Sequence, residues 1–447
     1  MDKKTKLTGK VIYPNDPGYD QARMNWNPFT NAFPIVFVFA QQIEDVSNAV
    51  KWGRENNVSI RMRSGRHSLA KDFSQVNGGM VIDVSQMRTI QLDKENGTAT
   101  VEAGIRVGPL VKALAQKGVL APFGDSPNVG IGGISTGGGI TAVQRTTGLI
   151  SDNIIAATIV DANGDVLTVD EDNNPDLLWA IRGGGGGNFG IITSYTFKVR
   201  SAPFQVGIYE VIWPWEQLEE VIDGWQQWSP TVDVRLGSVL EVFSEENGLL
   251  SSRGIFLGGK TELEKLIAPL TAIGTPIKVL VKEVTLLEAI EFWIPNEPLF
   301  DVENSAWSSS WVELSLPDEG LNTIREFLEN TTGTSNFFFL NSGGQMNSIP
   351  TNQTAFFWRS TKYYMEWNAK WTKESKAEKN IELVQQTRTE LSPYVIGSYV
   401  NVPDLGLKNY GQEYYGDNFE RLQQVKAKYD PDNIFNFAQS IPPASSC

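Results

Sequence analysis

The residues best suited to chemistry lie in one polar run at positions 63–68, which reads RSGRHS. It contains His67, the only histidine among 447 residues. Imidazole is the one side chain whose ordinary pKa lies near neutrality. Two arginines and a small Ser-Gly pair precede it, and such residues let a backbone wrap closely around a phosphate. A lone histidine more often lies in a surface turn or fully hydrogen-bonded in a core. Here the context favours a turn that holds an anion beside the imidazole.

Composition narrows the classes of partner and site. The chain carries 52 acidic and 38 basic residues, for a net charge of −14, so neither nucleic acid nor an anionic membrane is expected as a partner. The sequence shows no transmembrane span and no secretory signal, which predicts a cytoplasmic protein. The only cysteine is Cys447, so neither a disulfide within the chain nor a metal site is expected. Acid–base chemistry away from His67 must then use Tyr, Lys, Asp or Glu.

Two glycine-rich runs indicate close approach of the backbone to a ligand. The first, at 124–139, reads GDSPNVGIGGISTGGG, and its interleaved aliphatic residues favour a packed loop over a flexible linker. The second contains a literal GxGxxG at Gly185, Gly187 and Gly190. A dinucleotide-binding fold needs a strand before that motif and a helix after it. Here a helical pattern precedes and a strand pattern follows, so we reject that fold while keeping a ligand-approaching loop.

A second motif match is also rejected. Residues 254–261 fit the phosphate-loop pattern GxxxxGK[ST], but Ile255-Phe256-Leu257 resembles the end of a buried strand rather than an exposed loop. Thr261 and Glu264 instead predict a capping box that opens a helix over 263–270.

The hydrophobic pattern predicts more than one domain, as the length does. Strands at 35–40 and 58–62 flank a helix at 42–56, which is an α/β start. From about 205 to 395 the pattern changes, and ten of the 13 tryptophans fall there. Strand-like runs alternate with amphipathic helices in this part, which predicts an α+β domain. Its tryptophans could form a core or line a substrate cleft, and the sequence leaves both interpretations open.

Four motifs in order carry a family resemblance. They are RSGRHS at 63–68, the glycine run at 124–139, GGGGGNFGIIT at 183–193 and YYGDNFERLQQVKAKYDPDNIF at 414–435. Together they resemble the flavin-linked oxidases of the vanillyl-alcohol oxidase superfamily, in the berberine-bridge-enzyme-like branch. The resemblance implies an α+β fold with a two-subdomain FAD-binding domain of PCMH type at 30–202. It further implies a substrate domain at 203–395 and a C-terminal segment, 396–447, that completes the FAD domain.

The resemblance also implies the cofactor site. Family members carry FAD attached through its 8α-methyl group to a histidine at the position of His67. The 63–68 turn would hold the pyrophosphate, the second glycine run would contact the ADP half, and the C-terminal segment would close the site. The residues thereby assigned to the cofactor are Arg63, Ser64, Gly65, Arg66, His67, Ser68, Gly124, Ser126, Val129, Gly130, Gly133, Thr136, Gly137, Gly138, Asp152, Gly187, Asn188, Phe189, Gly190, Ile192, Asn401, Asn433 and Gln439.

Two positions in the first glycine run refine this expectation. Relatives with a second covalent link use a cysteine where this chain has Ser126, and a hydroxyl does not replace a thiolate as the nucleophile. We therefore predict a single link, through His67. Val129 occupies the position that controls oxygen access in the family, and valine there resembles oxidases rather than dehydrogenases.

The catalytic region departs from the family pattern. Many sugar- and alcohol-oxidising members carry Tyr-x-Asn-Tyr, with a tyrosine as base, where this chain has Val402 as the last residue. Valine cannot accept a proton. Tyr399 remains a candidate base, as do Tyr363 and Tyr364 from the substrate domain.

Three functions are compatible with these features. The first is an FAD-dependent oxidase that takes hydride from a C–H bond of a sugar, alcohol or secondary metabolite and is re-oxidised by O2. The second is a flavin-binding protein of low or no turnover with a structural or binding role, which the loss of tyrosine at Val402 supports. The third is an FAD dehydrogenase with another acceptor. The substrate and the oligomeric state are left open.

Overall fold

The computed structural model describes residues 5–122, 124, 126–294 and 297–445. Their strands form three larger sheets and one two-stranded ribbon. The fold is mixed α and β, as the sequence predicts. The predicted domain boundary at 202/203 lies just before Val206, where the third sheet begins. The boundary at 395/396 lies between the helices Ala377–Leu391 and Tyr410–Tyr415, and both boundaries stay predictions.

The first sheet carries the His67 turn at the end of one of its strands. Its order is Lys10–Ile12, Val36–Phe39, Met80–Asp83 and Ile60–Arg63, and the last three strands are parallel. A parallel strand covered on both faces is apolar throughout. Val36–Phe39 is buried at every position for that reason.

The second sheet is antiparallel and runs Ile90–Asp93, Thr98–Glu102, Ile191–Lys198, Ile154–Val160, Val166–Val169. The strand Ile191–Lys198 directly follows the second glycine run, and the helix Pro175–Ile181 precedes it. The rejection of a dinucleotide-binding fold is thus confirmed. Arg200–Ser201 and Val119–Leu120 form the ribbon.

The third sheet, here called the cap sheet, has seven antiparallel strands. Their order is Lys278–Val284, Val206–Pro214, Leu249–Phe256, Leu236–Phe243, Asn336–Asn341, Tyr363–Trp371, Asn304–Val312. Side chains of a strand alternate between the two faces of a sheet. In the strand Tyr363–Trp371, Tyr363, Met365 and Trp367 pack into a core under the cap-sheet helices, whereas Tyr364 joins the core shared with the first two sheets.

Helices cover the sheets and link them. The α-helices are Tyr19–Ala22, Ile43–Glu55, Val107–Ala115, Ile131–Ile134, Gln144–Thr147, Pro175–Ile181, Leu218–Trp228, Lys260–Thr271, Leu286–Trp293, Asp318–Asn330, Gln345–Ser348, Ala377–Leu391, Tyr410–Tyr415 and Phe419–Tyr429. Short 3-10 helices lie at Pro28–Thr30, Ser151–Asn153, Trp215–Gln217, Glu374–Lys376 and Gly416–Asn418. Nowhere in the described ranges is a helix both long and apolar enough to cross a membrane.

The start of one helix differs from the sequence prediction. The helix predicted over 263–270 runs from Lys260 to Thr271, and its N-cap is Gly259, so the predicted Thr261–Glu264 capping box is wrong. A carboxylate from the neighbouring strand does the capping instead, because Glu283 Oε2 accepts the Lys260 N–H at 2.9 Å. The tertiary contact replaces the local one.

Candidate active site

A cavity of about 460 Å³ lies between the cap sheet and the two smaller sheets. This volume falls in the usual range for ligand pockets. The His67 turn, both glycine runs, the residues Tyr399–Pro403, the C-terminal segment and the inner face of the cap sheet all line it. Segments distant in the chain therefore converge on one site, as the four motifs predict.

The His67 turn and the first glycine run contact each other through their backbones. A Cβ added to Gly65 would lie 2.1 Å from the backbone nitrogen of Gly130, and one added to Gly130 would lie 2.2 Å from that of Gly65. Both positions therefore require glycine. Arg66 adopts a φ of 64°, in the left-handed region, so the chain bends sharply immediately before His67. The RSGRHS run thus forms a tight turn, as predicted.

The two arginines of the turn share one buried carboxylate. Arg63 Nη2 lies 2.7 Å from Asp83 Oδ2, and Arg66 Nε lies 3.6 Å from the same oxygen. Burial lowers the pKa of Arg63 to about 10, while Asp83 opposes that shift. Asp83 therefore offsets part of the positive charge, and the remainder lies at the cavity wall, where it would favour a bound anion.

His67 presents its ring to the cavity. Trp26 stacks on it at 4.5 Å between ring centroids with an interplanar angle of 21°. The accessible part of the ring faces the internal cavity, and burial lowers its pKa from 6.5 to about 4. The imidazole is therefore neutral at neutral pH, and one ring nitrogen keeps a free lone pair. Ser126 Oγ lies 3.5 Å from Nε2 and donates to Glu297 Oε2 at 2.8 Å.

The two glycine runs are joined to each other. The carbonyl of Thr136 accepts the N–H groups of Gly183 and Gly185, at 2.8 and 3.0 Å. Gly187 adopts a φ of 82° and faces Met62 of the first sheet. The first glycine run thus contacts the turn that follows the strand Ile60–Arg63, and the second contacts the strand itself.

The C-terminal segment clamps the second glycine run. Lys426 Nζ is fully buried and donates to the carbonyls of Asn188 and Phe435 and to the carboxylate of Asp430, each at 2.7 Å. The N–H of Ile441 donates to Asn188 Oδ1 at 2.9 Å. The position of the glycine run therefore depends on residues more than two hundred positions later.

Tyr399 lies in the cavity wall with its hydroxyl oxygen surrounded by donors. The N–H groups of Gly139 and Ile140 lie 2.7 and 3.3 Å from it, and Asn401 Nδ2 lies 2.8 Å away. Burial raises the pKa of Tyr399 above its ordinary value despite these donors, so the phenol is protonated at neutral pH. A proton acceptor would need the opposite shift.

The two other tyrosine candidates fare differently. Tyr363 lies on the helix-covered face of the cap sheet and donates to Gln226 Oε1 at 2.8 Å, so the structure does not bring it to the cavity. Tyr364 packs against Tyr399 and donates to Glu366 Oε2 at 2.5 Å. Burial first, and then the charge of Glu366, raises the pKa of Tyr364 well above its ordinary value. Tyr364 is therefore a donor to Glu366 at neutral pH.

The sequence interpretation missed the acidic residues of the cap sheet. Glu241 and Glu366 both line the cavity and lie two strands apart in the cap sheet, with Phe338 of the intervening strand paired to each of them. Arg253 Nε lies 3.4 Å from Glu241 Oε2. Strand alternation was the only signal that could have found them, because Glu366 follows two residues after Tyr364 and must share its face. Trp307 lines the cavity as well.

Most residues assigned to the cofactor from the resemblance line this cavity: Arg63, Ser64, Gly65, Arg66, His67, Ser68, Ser126, Val129, Gly130, Gly133, Thr136, Gly187, Asn188, Gly190, Ile192, Asn401 and Gln439. The remainder take supporting places outside its lining. Gly137 leaves room for Asn401, since a Cβ there would lie 2.1 Å from the Asn401 Oδ1 atom.

The other supporting residues are all buried near the cavity or fixed in turns. Gly138 has a φ of 124° against Phe356, and Gly124 lines a separate apolar cavity of about 40 Å³. Phe189 packs in the core. Asp152 forms a buried ion pair with Arg359 at 2.7 Å, and Asn433 lies in a turn bonded to Asp430. These residues lie outside the cavity lining, and their assignment to the cofactor stays a prediction.

The residues present fit a flavin dinucleotide. Two glycine cradles lie where a Cβ would fill the space, one neutral imidazole faces the cavity, and a carboxylate lies on the opposite wall. Within the described part of the chain no group of three or more His, Cys, Asp or Glu residues could hold a metal ion.

Comparison with known proteins decides the family. A family model described as an FAD binding domain matches residues 34–170, and one described as berberine and berberine like matches residues 398–442. The FAD-linked oxidoreductase YvdP of Bacillus subtilis is 54% identical over 443 residues, which cover 98% of this chain and 99% of that relative. The chain belongs to the berberine-bridge-enzyme-like FAD-linked oxidoreductases. The family and the enzyme class predicted from the four motifs are confirmed.

Relatives of known structure agree with the fold. The berberine-bridge-enzyme-like protein 1 of Physcomitrella patens is 29% identical, with a TM-score of 0.92 over 98% of this chain and 97% of that one. The xylooligosaccharide oxidase of Myceliophthora thermophila, solved with xylobiose, is 25% identical, with a TM-score of 0.87 over 98% of this chain and 97% of that one. The berberine-bridge-enzyme-like architecture is thus confirmed over nearly the whole chain.

Proposed function

We propose that this berberine-bridge-enzyme-like protein is an oxidase of a hydroxyl-bearing small molecule, with FAD attached through His67 alone. The observation that carries the proposal is that the His67 turn and the Glu366 carboxylate line the same cavity. When bound there, the flavin supplies a hydride acceptor. The neutral imidazole supports a covalent link, and the serine at position 126 supports its being the only one.

Glu366 is the proposed proton acceptor for the substrate hydroxyl. An ionised carboxylate carries no proton and can accept one, whereas the neighbouring phenols of Tyr364 and Tyr399 already hold theirs. Tyr364 donates to one carboxylate oxygen and so fixes its orientation. The high pKa values of Tyr364 and Tyr399 support a carboxylate in this role over either phenol.

The choice of acceptor rests on Val129, which lines the cavity. A valine leaves more room than the bulkier residues at that position in dehydrogenases, so we propose O2 as the acceptor. The relative named a xylooligosaccharide oxidase supports a sugar or another hydroxylated small molecule as substrate.

The test separates substrate oxidation from re-oxidation. Purified holoprotein is mixed without oxygen with a panel of oligosaccharides, alcohols and phenolic metabolites, and bleaching of the flavin absorption band is followed. Oxygenated buffer is then added. Bleaching by at least one compound and rapid recovery with O2 support the proposal. Bleaching without recovery indicates a dehydrogenase, and no bleaching by any compound supports the low-turnover alternative.

A further inference from the structure

A chain of hydrogen bonds beside His67 has no part in the oxidation proposed above. It runs from His67 Nε2 through Ser126 Oγ to the carboxylate of Glu297, with distances of 3.5 and 2.8 Å. A serine hydroxyl has one proton, and here that proton points to Glu297. The Ser126 oxygen is then an acceptor for His67 in the tautomer that carries its hydrogen on Nε2 and its lone pair on Nδ1.

We propose that Glu297, acting through Ser126, accepts the imidazole proton when His67 becomes covalently attached to the flavin. This inference rests on the covalent link of the proposed function. Ser126 then relays the proton. Glu297, from the predicted substrate domain, acts in attachment of the cofactor rather than in turnover.

The atoms and electrons of the attachment balance with O2 as the oxidant. His67 Nδ1 forms a bond to the 8α carbon, and one C–H bond of that methyl group breaks. The electron pair of the C–H bond stays on the ring system, which is thereby reduced by two electrons. The Nε2–H bond then breaks, its proton passing to Ser126 while the Ser126 proton passes to Glu297. O2 takes up the two electrons and, with the two released protons, leaves as H2O2.

The surroundings of His67 suit such a transfer. The ring is held by stacking on Trp26, and its low pKa keeps the nucleophilic lone pair available. The segment that carries Glu297 is held by its backbone, because Asn128 Nδ2 donates to the carbonyls of Glu297 and Pro298, each at 3.1 Å. The N–H of Asp301 donates to the carbonyl of Trp26 at 2.9 Å. Three contacts thus hold the segment that carries the carboxylate, and the Ser126 hydroxyl donates to the carboxylate itself.

The same contacts could serve only to fasten the segment to the loop, and one variant separates the two roles. Asn128→Ala removes two of the fastening bonds and leaves the path from His67 to Glu297 intact. Glu297→Gln keeps the size of the side chain and its bond to Ser126 but cannot accept a proton at neutral pH. A purely structural role predicts that Asn128→Ala slows attachment at least as much as Glu297→Gln does.

The experiment follows attachment in the full-length apo-protein, purified from a riboflavin-starved auxotrophic host. FAD is added in oxygenated buffer, timed samples are precipitated with acid, and flavin fluorescence of the pellet and intact mass give the covalent fraction. Quenching of free FAD fluorescence before attachment gives the non-covalent affinity. Wild type, Glu297→Gln, Glu297→Asp, Ser126→Ala and Asn128→Ala are compared, with circular dichroism as the check on folding.

We expect Glu297→Gln to slow attachment about 10²–10⁴-fold, the usual range for loss of a positioned base, with unchanged non-covalent affinity. Ser126→Ala is expected to slow it as well, Glu297→Asp to recover part of the rate, and Asn128→Ala to retain it. Attachment of Glu297→Gln and Ser126→Ala at the wild-type rate overturns the inference, as does equal slowing by Asn128→Ala. If wild type binds FAD without ever becoming covalent, the covalent link of the proposed function fails too, whereas its oxidase part is judged separately by flavin bleaching.

Discussion

The two walls of the cavity are built in different ways. The wall formed by the smaller sheets consists of tight turns in which backbone touches backbone, as at Gly65 and Gly130. The cap-sheet wall consists of side chains from regular strands, such as Glu241, Arg253 and Glu366. Turns of the first kind tolerate few residue types, whereas an inward strand position tolerates many. The comparison indicates that the first wall is committed to one cofactor and the second can be adapted to a substrate.

The largest expected effect tests whether the cap-sheet wall carries the chemistry. Glu366→Gln should slow flavin reduction by an active substrate about 10²–10⁴-fold, because the amide cannot accept the hydroxyl proton. Flavin content should not change, since the cofactor wall is untouched. Stopped-flow absorbance measures the rate, and Glu382→Gln, an exposed glutamate on the helix Ala377–Leu391, is the control. Equal rates for wild type and Glu366→Gln would remove Glu366 from the mechanism.

A second variant breaks the cofactor wall from its C-terminal side. Lys426→Met leaves Asp430 as a buried charge without its partner and two carbonyls without their donor, which should lower the free energy of unfolding by about 3–5 kcal/mol. Lys428→Met, on the same helix, removes an exposed amine that pairs with Asp176 and lies over the Tyr429 ring, and should cost at most about 1 kcal/mol. Denaturant titration measures both, and a similar loss in the two variants would contradict the clamp.

The pH dependence of the apo-protein sharpens the comparison at His67. The pKa of its imidazole is about 4 in the folded state against 6.5 ordinarily, so between these values the unfolded state binds more protons. Stability should therefore fall as the pH falls through this window, by about 3 kcal/mol in total. His67→Gln should lack this part of the slope. The difference between the two unfolding curves isolates it from titrating carboxylates, and parallel curves would show that the imidazole is not desolvated.

The smallest expected effect concerns binding at the cap-sheet wall. The strand that carries Arg253 and the strand that carries Glu366 are three places apart in the cap sheet, so about 14 Å separates them. The pair of Arg253 with Glu241 should therefore contact the substrate away from the reacting carbon. Replacing both charges, as Arg253→Met with Glu241→Gln, should raise KM about tenfold or more and leave kcat nearly unchanged. Steady-state kinetics test this, and a fall in kcat with constant KM would place the pair at the reaction centre.

The cofactor wall was largely predictable from sequence because its geometry restricts residue type. Gly65, Gly130 and Gly187 form recognisable sequence motifs because their backbone positions favour glycine. The strand after the second glycine run was visible in its apolar pattern. The cap-sheet wall was not predictable, because the register of its strands decides which side chains face the cavity. Shifting a strand by one residue exchanges its faces, and that difference separates Tyr363, in the helix-covered core, from Tyr364, beside Glu366.

Local sequence rules also failed where a distant residue intervened. Thr261 and Glu264 have the spacing of a capping box, yet Glu283 of the neighbouring strand takes the Lys260 amide and moves the helix start to Gly259. Likewise Asp152 lies between motifs of the cofactor wall but is held by Arg359. A single sequence does not reveal such pairings, because nothing in the chain marks which distant partner is present.

The clamp of Lys426 on Asn188 sets an order in time during biosynthesis. The two residues are 238 positions apart, so at a ribosomal rate of about 5–20 residues per second roughly 10–50 s pass between their appearances. The Lys426 amine that holds the second glycine run is therefore synthesised that long after the run itself. A nascent chain can thus fold its first sheet early, whereas the clamped form of the cofactor site has to follow synthesis of the segment that carries Lys426.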